Sequence, residues 1–517
     1  MWISTSSLAD SAMDSDSCRP RLFTYQLPGS YRISPHGLGK AIHMRNRVHA
    51  PLWDTDQYSL GSLLYERALA YRCRTRDPSN ADLFFVPAFR GTLGTVQECA
   101  EPDSKVKLLQ RLRVVLLNAS SAQRHGLLDG ANGPPTTLEA RGGADHIILN
   151  PRSGMNWERY PYCELQMGSA RLGAALWLSM ESHPHNGSWV YPEGYCGKVC
   201  VKAYYPQLVS ESFYWSVPWT SAVHLDSTSS STPPWTSQHV RSMLVAAHFL
   251  VAPGHPGIPK PTLQLRQALL QQCSAQPTKC RSVPPLLYKG SGCSGIKCLS
   301  SERTALLYWD STFCLQPGGD TITRKGIVDA LLLGCIPVLF HTGQPAQWAW
   351  QWGTWVEDAT VTLNQSAVRH GELDVISTLS AIPTARVAAM QASVRQHAHR
   401  MHYAAVDTSQ LRSGLRGLSM PDAFEVILEG AWRVSRDAKL QSMGRHVMRT
   451  NTGIGEMRIR QRRLAMASAS KHGSEHASEH ATGVVPVEID GATVIGRPSP
   501  ARSVGRSVGR RSVWSAG

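Results

Sequence analysis

A glycine-rich turn followed by two adjacent cations is the part of the sequence best suited to chemistry. Gly318 and Gly319 shortly precede Arg324 and Lys325, and Asp329 follows Lys325 by four residues. If a helix begins here, its N–H groups and the positive end of its dipole would attract a diphosphate. The two cations would stabilise a leaving pyrophosphate, and Asp329, one helical turn later, could accept hydrogen bonds from ribose hydroxyls.

The sequence around this turn predicts a strand, a loop, a helix and a second strand. The first strand begins near residue 311 and stops at Pro317, and the helix covers about 323–333. Gly334 is a typical helix stop, and the apolar run after it predicts the next strand. Units of this kind build nucleotide-binding parallel sheets.

The same residues also fit a purely structural interpretation. Asp320 would cap the helix, and Lys325 and Asp329 would form a surface ion pair. The motif is neither a Walker loop nor a G-x-G-x-x-G fingerprint. The spacing therefore leaves both interpretations open and does not identify a nucleotide.

Strands and helices alternate along most of the chain, which is typical of an α/β fold. The apolar run at residues 83–86 predicts a strand buried in a parallel sheet, and leucines at helical spacing predict a helix over 57–71. A Ser/Thr-rich segment at 226–235 separates two such patterns, so we predict two α/β lobes with a cleft between them. The predicted regions are a disordered leader at 1–20, an N-terminal lobe at 21–235, a C-terminal lobe at 236–430 and a low-complexity basic tail at 431–517.

Composition excludes several classes of protein. The chain has 517 residues, a formal net charge of +15 and 42% hydrophobic residues, which rules out a small disulfide-stapled module and a fibrous protein. The tail holds 15 basic and 6 acidic residues, so the rest of the chain is only mildly basic. Because the tail is repetitive and poor in aromatic residues, nucleic-acid binding is the weakest functional hypothesis, and no nucleic-acid partner is predicted.

The twelve cysteines indicate an oxidising compartment. Close pairs occur at Cys196/Cys200, Cys273/Cys280 and Cys293/Cys298, and sequons occur at Asn118, Asn186 and Asn364. Disulfides are favoured over a zinc site because the pairs lack C-x₂-C spacing, and free thiols are the third possibility. No signal peptide and no apolar run of about 18 residues is visible, so the chain as written is expected to be soluble.

The segment that contains the glycine-rich turn and the two cations resembles a known protein family. FCLQPGGDTITRKGIVDALLLGCIPVLFH is similar to the donor-binding segment of the exostosin family of glycosyltransferases, or glycosyltransferase family 47, and is most similar to its plant xyloglucan galactosyltransferase-like branch. Further blocks follow in the family's order over about 21–430. They include WDTDQYSLGSLLYERALAYRCRTRDPSNADLFFVPAF, GGADHIILNPRSGMNW, SVPWTSAVH, SGCSGIKC, IPTARVAAMQASV and PDAFEVIL.

The resemblance implies a GT-B fold in which two Rossmann-like lobes face a cleft. It also implies transfer of a sugar from a UDP-sugar to a polysaccharide or glycoprotein glycan, with inversion at the anomeric carbon. The acceptor would bind the N-terminal lobe and the nucleotide sugar the C-terminal lobe, with Gly318, Gly319, Arg324, Lys325 and Asp329 forming the donor site. No metal cofactor is predicted. The family's lumenal Golgi location implies a membrane anchor, so we expect the N-terminus to be incomplete.

The general base is sought in the matched blocks of the acceptor lobe. Asp145, His146 and His224 are the predicted candidates, because an imidazole with a pKa near ~6.5 can accept a proton at lumenal pH. The alternative is that each histidine is a hydrogen-bonded structural residue and that Asp145 holds a loop N–H. The pairs Asp14/Asp16 and Asp54/Asp56 are attributed to chance rather than to metal binding. A catalytically silent carbohydrate-binding relative remains the alternative function.

Four tryptophans follow the predicted donor strand, at Trp348, Trp350, Trp352 and Trp355. If the segment is a strand, the spacing of two places the first three on one side, where they could stack on sugar rings. If it is helical, they pack into the core. The sequence favours neither interpretation.

Overall fold

The computed structural model places all described residues in one compact unit within residues 1–445. It describes residues 18–25, 41–42, 52–57, 59–87, 143–150, 175–181, 214–225, 232–251, 258, 260–283, 301–319, 322–406 and 420–437. The predicted leader up to residue 17 and the predicted tail beyond residue 437 lie outside these ranges.

The N-terminal lobe is built on a six-stranded parallel sheet. Its elements are β1 (Leu22–Thr24), β2 (Ala41–Ile42), β3 (Leu52–Trp53), α1 (Leu60–Leu69), β4 (Arg74–Thr75), β5 (Leu83–Val86), β6 (His146–Asn150), β7 (Leu176–Ser179) and β8 (Tyr214–Ser216). The strand order is β4-β1-β5-β6-β7-β8, and β2 and β3 form a separate antiparallel pair. All four residues of β5 are buried, as expected for a strand covered on both faces.

The C-terminal lobe repeats the arrangement with five parallel strands in the order β10-β9-β11-β12-β13. Its first elements are β9 (Met243–Ala247), α2 (Lys260–Ala275), β10 (Cys280–Ser282), α3 (Ser301–Trp309), β11 (Ser311–Gln316), α4 (Lys325–Leu332) and β12 (Ile336–Leu339). Those that follow are α5 (Ala349–Trp352), α6 (Val356–Ala359), β13 (Val361–Thr362), α7 (Gln365–Arg369), α8 (Val375–Ser380), α9 (Thr384–His397) and α10 (423–437). The predicted two-lobed α/β fold of the GT-B type is therefore confirmed.

The predicted strand–loop–helix–strand unit is β11, α4 and β12. Gly334 ends the helix with φ +73, and two backbone hydrogen bonds close the turn, from Gly334 N to Leu331 O and from Cys335 N to Ala330 O. This is a Schellman motif, in which glycine adopts the left-handed conformation without a side-chain clash. Because the next residues enter β12 at once, the motif fixes the position of α4 over the sheet.

One hydrophobic cluster continues from the N-terminal sheet to α4, α5 and α10. A buried ion pair adds to this contact, because Arg67 Nε on α1 donates to Asp422 Oδ2 at 2.8 Å just before α10. Trp348 bridges the lobes in a similar way, since its indole donates to Met180 O at 2.9 Å. The lobes thus share apolar and polar contacts.

The tryptophan segment is helical, so the strand interpretation is wrong. Trp348, Trp352 and Trp355 are buried, and Trp350 stacks on Trp215 with ring centroids 4.6 Å apart. The Trp350 ring also lies against the backbone of Gly430, where a Cβ would come within 2.3 Å of it. These side chains pack the core.

Three disulfides occur in the described part of the chain, at Cys18–Cys73, Cys273–Cys280 and Cys314–Cys335. The expectation of disulfides is confirmed, with Cys273–Cys280 as the one predicted close pair that is described. Cys196/Cys200 and Cys293/Cys298 lie outside the described residues, as do Asn118 and Asn186. Asn364 is an exposed N-cap of α7. Among the described residues no helix is both long and apolar enough to cross a bilayer.

The disulfide that closes the longer loop should stabilise the fold more, because loop-closure entropy grows with the logarithm of loop length. Cys18–Cys73 closes 55 residues and Cys273–Cys280 only 7. From loop entropy we expect C18A/C73A to lower the free energy of unfolding by about 4 kcal/mol and C273A/C280A by about 2 kcal/mol. Urea unfolding of both double variants, followed by far-UV circular dichroism, measures the two losses. Equal losses would contradict this order.

Candidate functional site

The candidate site is the turn between β11 and α4, at the carboxyl end of the C-terminal sheet, where parallel α/β sheets bind ligands. Two buried side chains fix this turn. Arg266 donates from Nε and Nη2 to Gly318 O at 3.0 and 2.6 Å. Gln344 donates to Gln316 O and Ile322 O at 3.0 and 2.8 Å, so it ties the two ends of the loop together. The predicted Gly318 and Gly319 thus lie in a loop held from both sides.

Arg324 is the N-cap of α4, and its own side chain makes no capping hydrogen bond. Asp320, the residue proposed as the cap, lies outside the described residues. Arg324 Nη2 donates to His248 O at 2.8 Å, whereas the buried Nη1 has no hydrogen-bond partner within the described chain. The first turn of α4 contains no acidic residue. The N-terminus of α4 therefore carries a guanidinium that forms no ion pair with any residue the structure describes.

Other polar atoms surround this guanidinium. His248 Nδ1 and Gln316 Oε1 are also buried without a hydrogen-bond partner in the described ranges. Gly326 allows their close approach, because a Cβ there would lie 2.7 Å from Gln316 Oε1 and 3.1 Å from both Arg324 Nε and the Tyr308 hydroxyl. Burial, and then the charge of Arg324, lower the pKa of His248 to about 4, so its ring is neutral at physiological pH.

Lys325 and Asp329 form the ion pair of the structural interpretation, with Nζ to Oδ2 at 2.8 Å. The pair is not on the surface, since the two side chains are only 18% and 8% exposed. Asp329 Oδ1 also accepts the Ala222 N–H at 2.9 Å, which joins α4 to the N-terminal lobe. Its predicted contact with ribose stays a prediction. Of the two predicted cations, Lys325 is neutralised and Arg324 is in no ion pair with a described residue.

Glu181 reaches the same helix end from the other lobe. It follows β7, is 3% exposed, and its Oε1 accepts the Thr323 N–H at 2.7 Å. The Thr323 hydroxyl makes a short contact with the same oxygen and accepts the Trp219 indole N–H at 2.8 Å. Thr323 directly precedes Arg324, so the carboxylate lies next to the turn.

Sequence analysis missed Glu181, His248, Arg266 and Gln344. A usable signal exists for the first two, because each is a polar residue just after a buried apolar strand: His248 directly follows β9, and Glu181 follows β7 after Met180. Polar residues at the carboxyl ends of parallel strands line the ligand crevice of α/β folds. Arg266 and Gln344 carry no comparable signal, since their partners are backbone carbonyls that only the folded chain brings near.

His224 lies near α4 but is fully buried. Its Nδ1 lies 2.7 Å from Tyr403 O, and its Nε2 lies 2.8 Å from Ser221 O and 3.0 Å from Thr55 Oγ1. The carbonyls favour the protonated ring, but burial dominates and lowers the pKa of His224 to about 4. The ring is therefore neutral and held on both sides, and its role as a base stays a prediction.

Asp145 and His146 lie elsewhere in the lobe. Asp145 Oδ1 is 2.8 Å from His146 Nδ1, and the Tyr25 hydroxyl is 3.0 Å from His146 Nε2. The ring stacks on Phe84 at 4.6 Å. His146 is the first residue of β6, so it lies at the amino end of the sheet, and the structure does not bring it to the turn between β11 and α4. The catalytic role of this pair stays a prediction.

The buried histidines predict a loss of stability in acid. His402 accepts the Leu225 N–H at Nε2, and burial, opposed by Asp422 and reinforced by His224 and Arg67, lowers the pKa of His402 to about 3. In the unfolded chain both His224 and His402 would titrate near ~6.5. Their stabilising contribution is complete above that pH and is lost as the pH falls towards 4, by about 1.4 kcal/mol per pH unit for each ring.

Urea midpoints between pH 7.5 and 4.5 measure this slope. The matched variant is His402→Gln, whose amide oxygen can still accept the Leu225 N–H but does not titrate. As the pH decreases, we expect the free energy of unfolding of this variant to fall less steeply than that of wild type. The difference should be about 1.4 kcal/mol per pH unit, because one titrating ring has been removed. An unchanged slope would contradict the prediction.

The chain matches a known protein family over more than half of its length. The Exostosin GT47 domain matches residues 19–356. The probable xyloglucan galactosyltransferase GT17 of Arabidopsis thaliana is 23% identical over 80% of this chain and 78% of its own. The xyloglucan galactosyltransferase MUR3 of Arabidopsis thaliana is 27% identical over 72% of this chain and 52% of its own.

A third relative, the xyloglucan-specific galacturonosyltransferase 1 of Arabidopsis thaliana, is 25% identical over 63% of this chain, which spans only 42% of that relative. Among solved structures, the spinosyn rhamnosyltransferase SpnG with thymidine diphosphate overlays with a TM-score of 0.30 at 13% identity, over 76% of this chain and 99% of that chain. A score this low supports no detailed comparison. The match of the GT47 domain to well over half of the sequence is decisive, and the chain belongs to the exostosin GT47 family of glycosyltransferases.

Proposed function

We propose that this protein transfers a sugar from a UDP-sugar to a glycan acceptor with inversion at the anomeric carbon. Family membership supports the glycosyl transfer. The observation that carries the donor assignment is Arg324, a cation without an ion-pair partner in the described ranges at the N-terminus of α4. A diphosphate placed there would gain charge-assisted hydrogen bonds from a preorganised group.

In this reaction the acceptor oxygen attacks the anomeric carbon from the face opposite UDP. The bond from that carbon to the β-phosphate oxygen breaks, and its electron pair leaves with UDP. Arg324 and the N–H groups at the start of α4 stabilise the charge that develops on that oxygen. Gly318 and Gly319 let the backbone approach the phosphates. Lys325 and Asp329 hold the helix against the N-terminal lobe, with Asp329 at the predicted position of the ribose.

We further propose that these groups stabilise the leaving group without a metal cofactor. The relatives act on xyloglucan according to their names, so a plant-type polysaccharide is the first acceptor to test. Three disulfides support a lumenal compartment, and we propose the Golgi lumen or membrane, with no nucleic-acid partner.

Calorimetry with UDP tests the donor site directly. We expect saturable binding of UDP, and then UDP release from one or more UDP-sugars in a panel that begins with UDP-galactose and UDP-galacturonic acid. Release should be unchanged in EDTA. A purified, folded chain that binds no UDP would overturn the proposal, and linkage analysis of the product would test inversion.

A further inference from the structure

We propose that Glu181 is the general base that takes the proton from the attacking acceptor hydroxyl. This inference rests on the proposed function and adds a catalytic residue to the same site. It assigns the role of general base to Glu181 rather than to Asp145, His146 or His224.

Glu181 lies beside the turn between β11 and α4. Glu181 lies two residues beyond the end of β7, at the carboxyl edge of the N-terminal sheet. Its Oε1 is 2.7 Å from the N–H of Thr323, the residue before the Arg324 N-cap. The acceptor lobe thus places a carboxylate directly beside the turn where the leaving diphosphate would be held.

An inverting displacement also limits the distance between the general base and the leaving group. A base lies about 3 Å from the attacking oxygen, which lies a further ~3 Å from the anomeric carbon. The leaving oxygen is on the other side of that carbon, so base and diphosphate site must be near neighbours. Glu181 satisfies this requirement through its contact with Thr323.

The sheet register shows why Asp145–His146 does not satisfy it. Asn150 of β6 pairs with Ser179 of β7, which is the level of the sheet from which Glu181 emerges. His146 is four residues back along β6, or about 13 Å at the usual rise of a strand. It is also enclosed by Tyr25 and Phe84. The pair therefore lies at the other edge of the sheet from the donor turn.

His224 is close to α4, but its ring nitrogens contact Tyr403 O, Ser221 O and Thr55 Oγ1. Taking up a proton there would place a charge in a fully buried setting. Asp329 is committed to Lys325 and to the Ala222 N–H. Glu181, by contrast, is held by the donor turn itself, so its position is coupled to the site where UDP would bind.

In the proposed step one bond forms, one bond breaks and one proton is transferred. The acceptor hydroxyl loses its proton to the Glu181 carboxylate while its oxygen forms the new bond to the anomeric carbon. The bond from that carbon to the UDP oxygen breaks, and UDP leaves with the electron pair. Glu181 then returns the proton to solvent, so the enzyme is unchanged after a turnover.

The decisive variant is Glu181→Gln in the full chain. The amide oxygen can still accept the Thr323 N–H, but the side chain can no longer take up a proton. We expect kcat for UDP release from the best donor of the panel, with water as the acceptor, to fall by about 100-fold or more. The dissociation constant for UDP should stay within about threefold of wild type, and the acid limb of the pH profile should disappear.

Two further variants separate catalysis from a merely structural contact. Glu302→Gln makes the same chemical change on the exposed face of α3 and should leave turnover unchanged. Thr323→Val removes the hydroxyl contact with Glu181 but keeps the carboxylate, and should cost less than about tenfold in kcat. A Glu181→Gln enzyme whose kcat falls by less than about 100-fold, or in which only KM changes, would overturn the assignment. If wild type itself binds no UDP, the proposed function fails instead.

Discussion

Arg324→Ala is expected to lower kcat/KM for the UDP-sugar by about 100- to 1,000-fold, the usual loss when one preorganised charged donor is removed from a developing oxyanion. The reason is the position of the guanidinium. It caps α4, one of its nitrogens is buried with no hydrogen-bond partner in the described chain, and no acidic side chain in the first turn competes for it. Kinetics of UDP release and calorimetry with UDP measure the loss.

The comparison with Lys325→Ala makes this test specific. Lys325 is already paired with Asp329 at 2.8 Å, so its removal should weaken UDP binding less than the loss of Arg324. Arg386→Ala removes a solvent-exposed arginine from α9 and should leave UDP affinity unchanged, which controls for net charge. A larger effect of Lys325→Ala than of Arg324→Ala would reverse the proposed roles of the two cations.

The difference between these two cations could not be predicted from the sequence. Local spacing predicts that Lys325 and Asp329 share a helix face, and the ion pair is found. It does not reveal that the Ala222 N–H also binds Asp329, or that His248 O holds Arg324, because those partners are distant in the chain. Helix α4 was therefore predictable from the sequence, and the contacts of its charged side chains were not.

The fold follows from local signals to a large extent. The apolar run of β5 and the Gly334 stop after α4 each predicted the element that is found. Glu181 follows a buried strand, which marks it as a possible crevice residue, but its contact with Thr323 depends on how β7 meets the turn between β11 and α4. The tryptophan spacing was ambiguous for a related reason. A spacing of two residues fits a strand, and it also fits a short helix such as α5, in which Trp352 is buried.

Asp422→Ala is expected to lower the free energy of unfolding by about 3–5 kcal/mol, because it leaves the Arg67 charge buried without its partner. The two side chains are only 4% and 1% exposed. Burial alone would raise the pKa of Asp422, but the charge and hydrogen bond of Arg67 hold it below its usual value, so the pair is ionised at neutral pH. Asp422 also accepts the N–H groups of Ala404 and Glu425 at 2.9 and 3.1 Å, so the cap of α10 is lost as well.

The charge and the cap can be separated. Asp422→Asn can keep an oxygen in the place of Oδ1 for the Glu425 N–H, which caps α10, but it puts an amide NH2 where Oδ2 accepts Arg67 Nε and the Ala404 N–H. Its loss therefore measures the unpaired Arg67 together with the Ala404 hydrogen bond, without the cap. The double variant Arg67→Met/Asp422→Asn should recover much of the stability, because no buried charge remains. Urea unfolding of wild type, Arg67→Met, Asp422→Asn and the double variant at pH 7 gives the coupling free energy. Additive losses would show that Arg67 and Asp422 stabilise the contact between α1 and α10 independently, contrary to the buried pair described here.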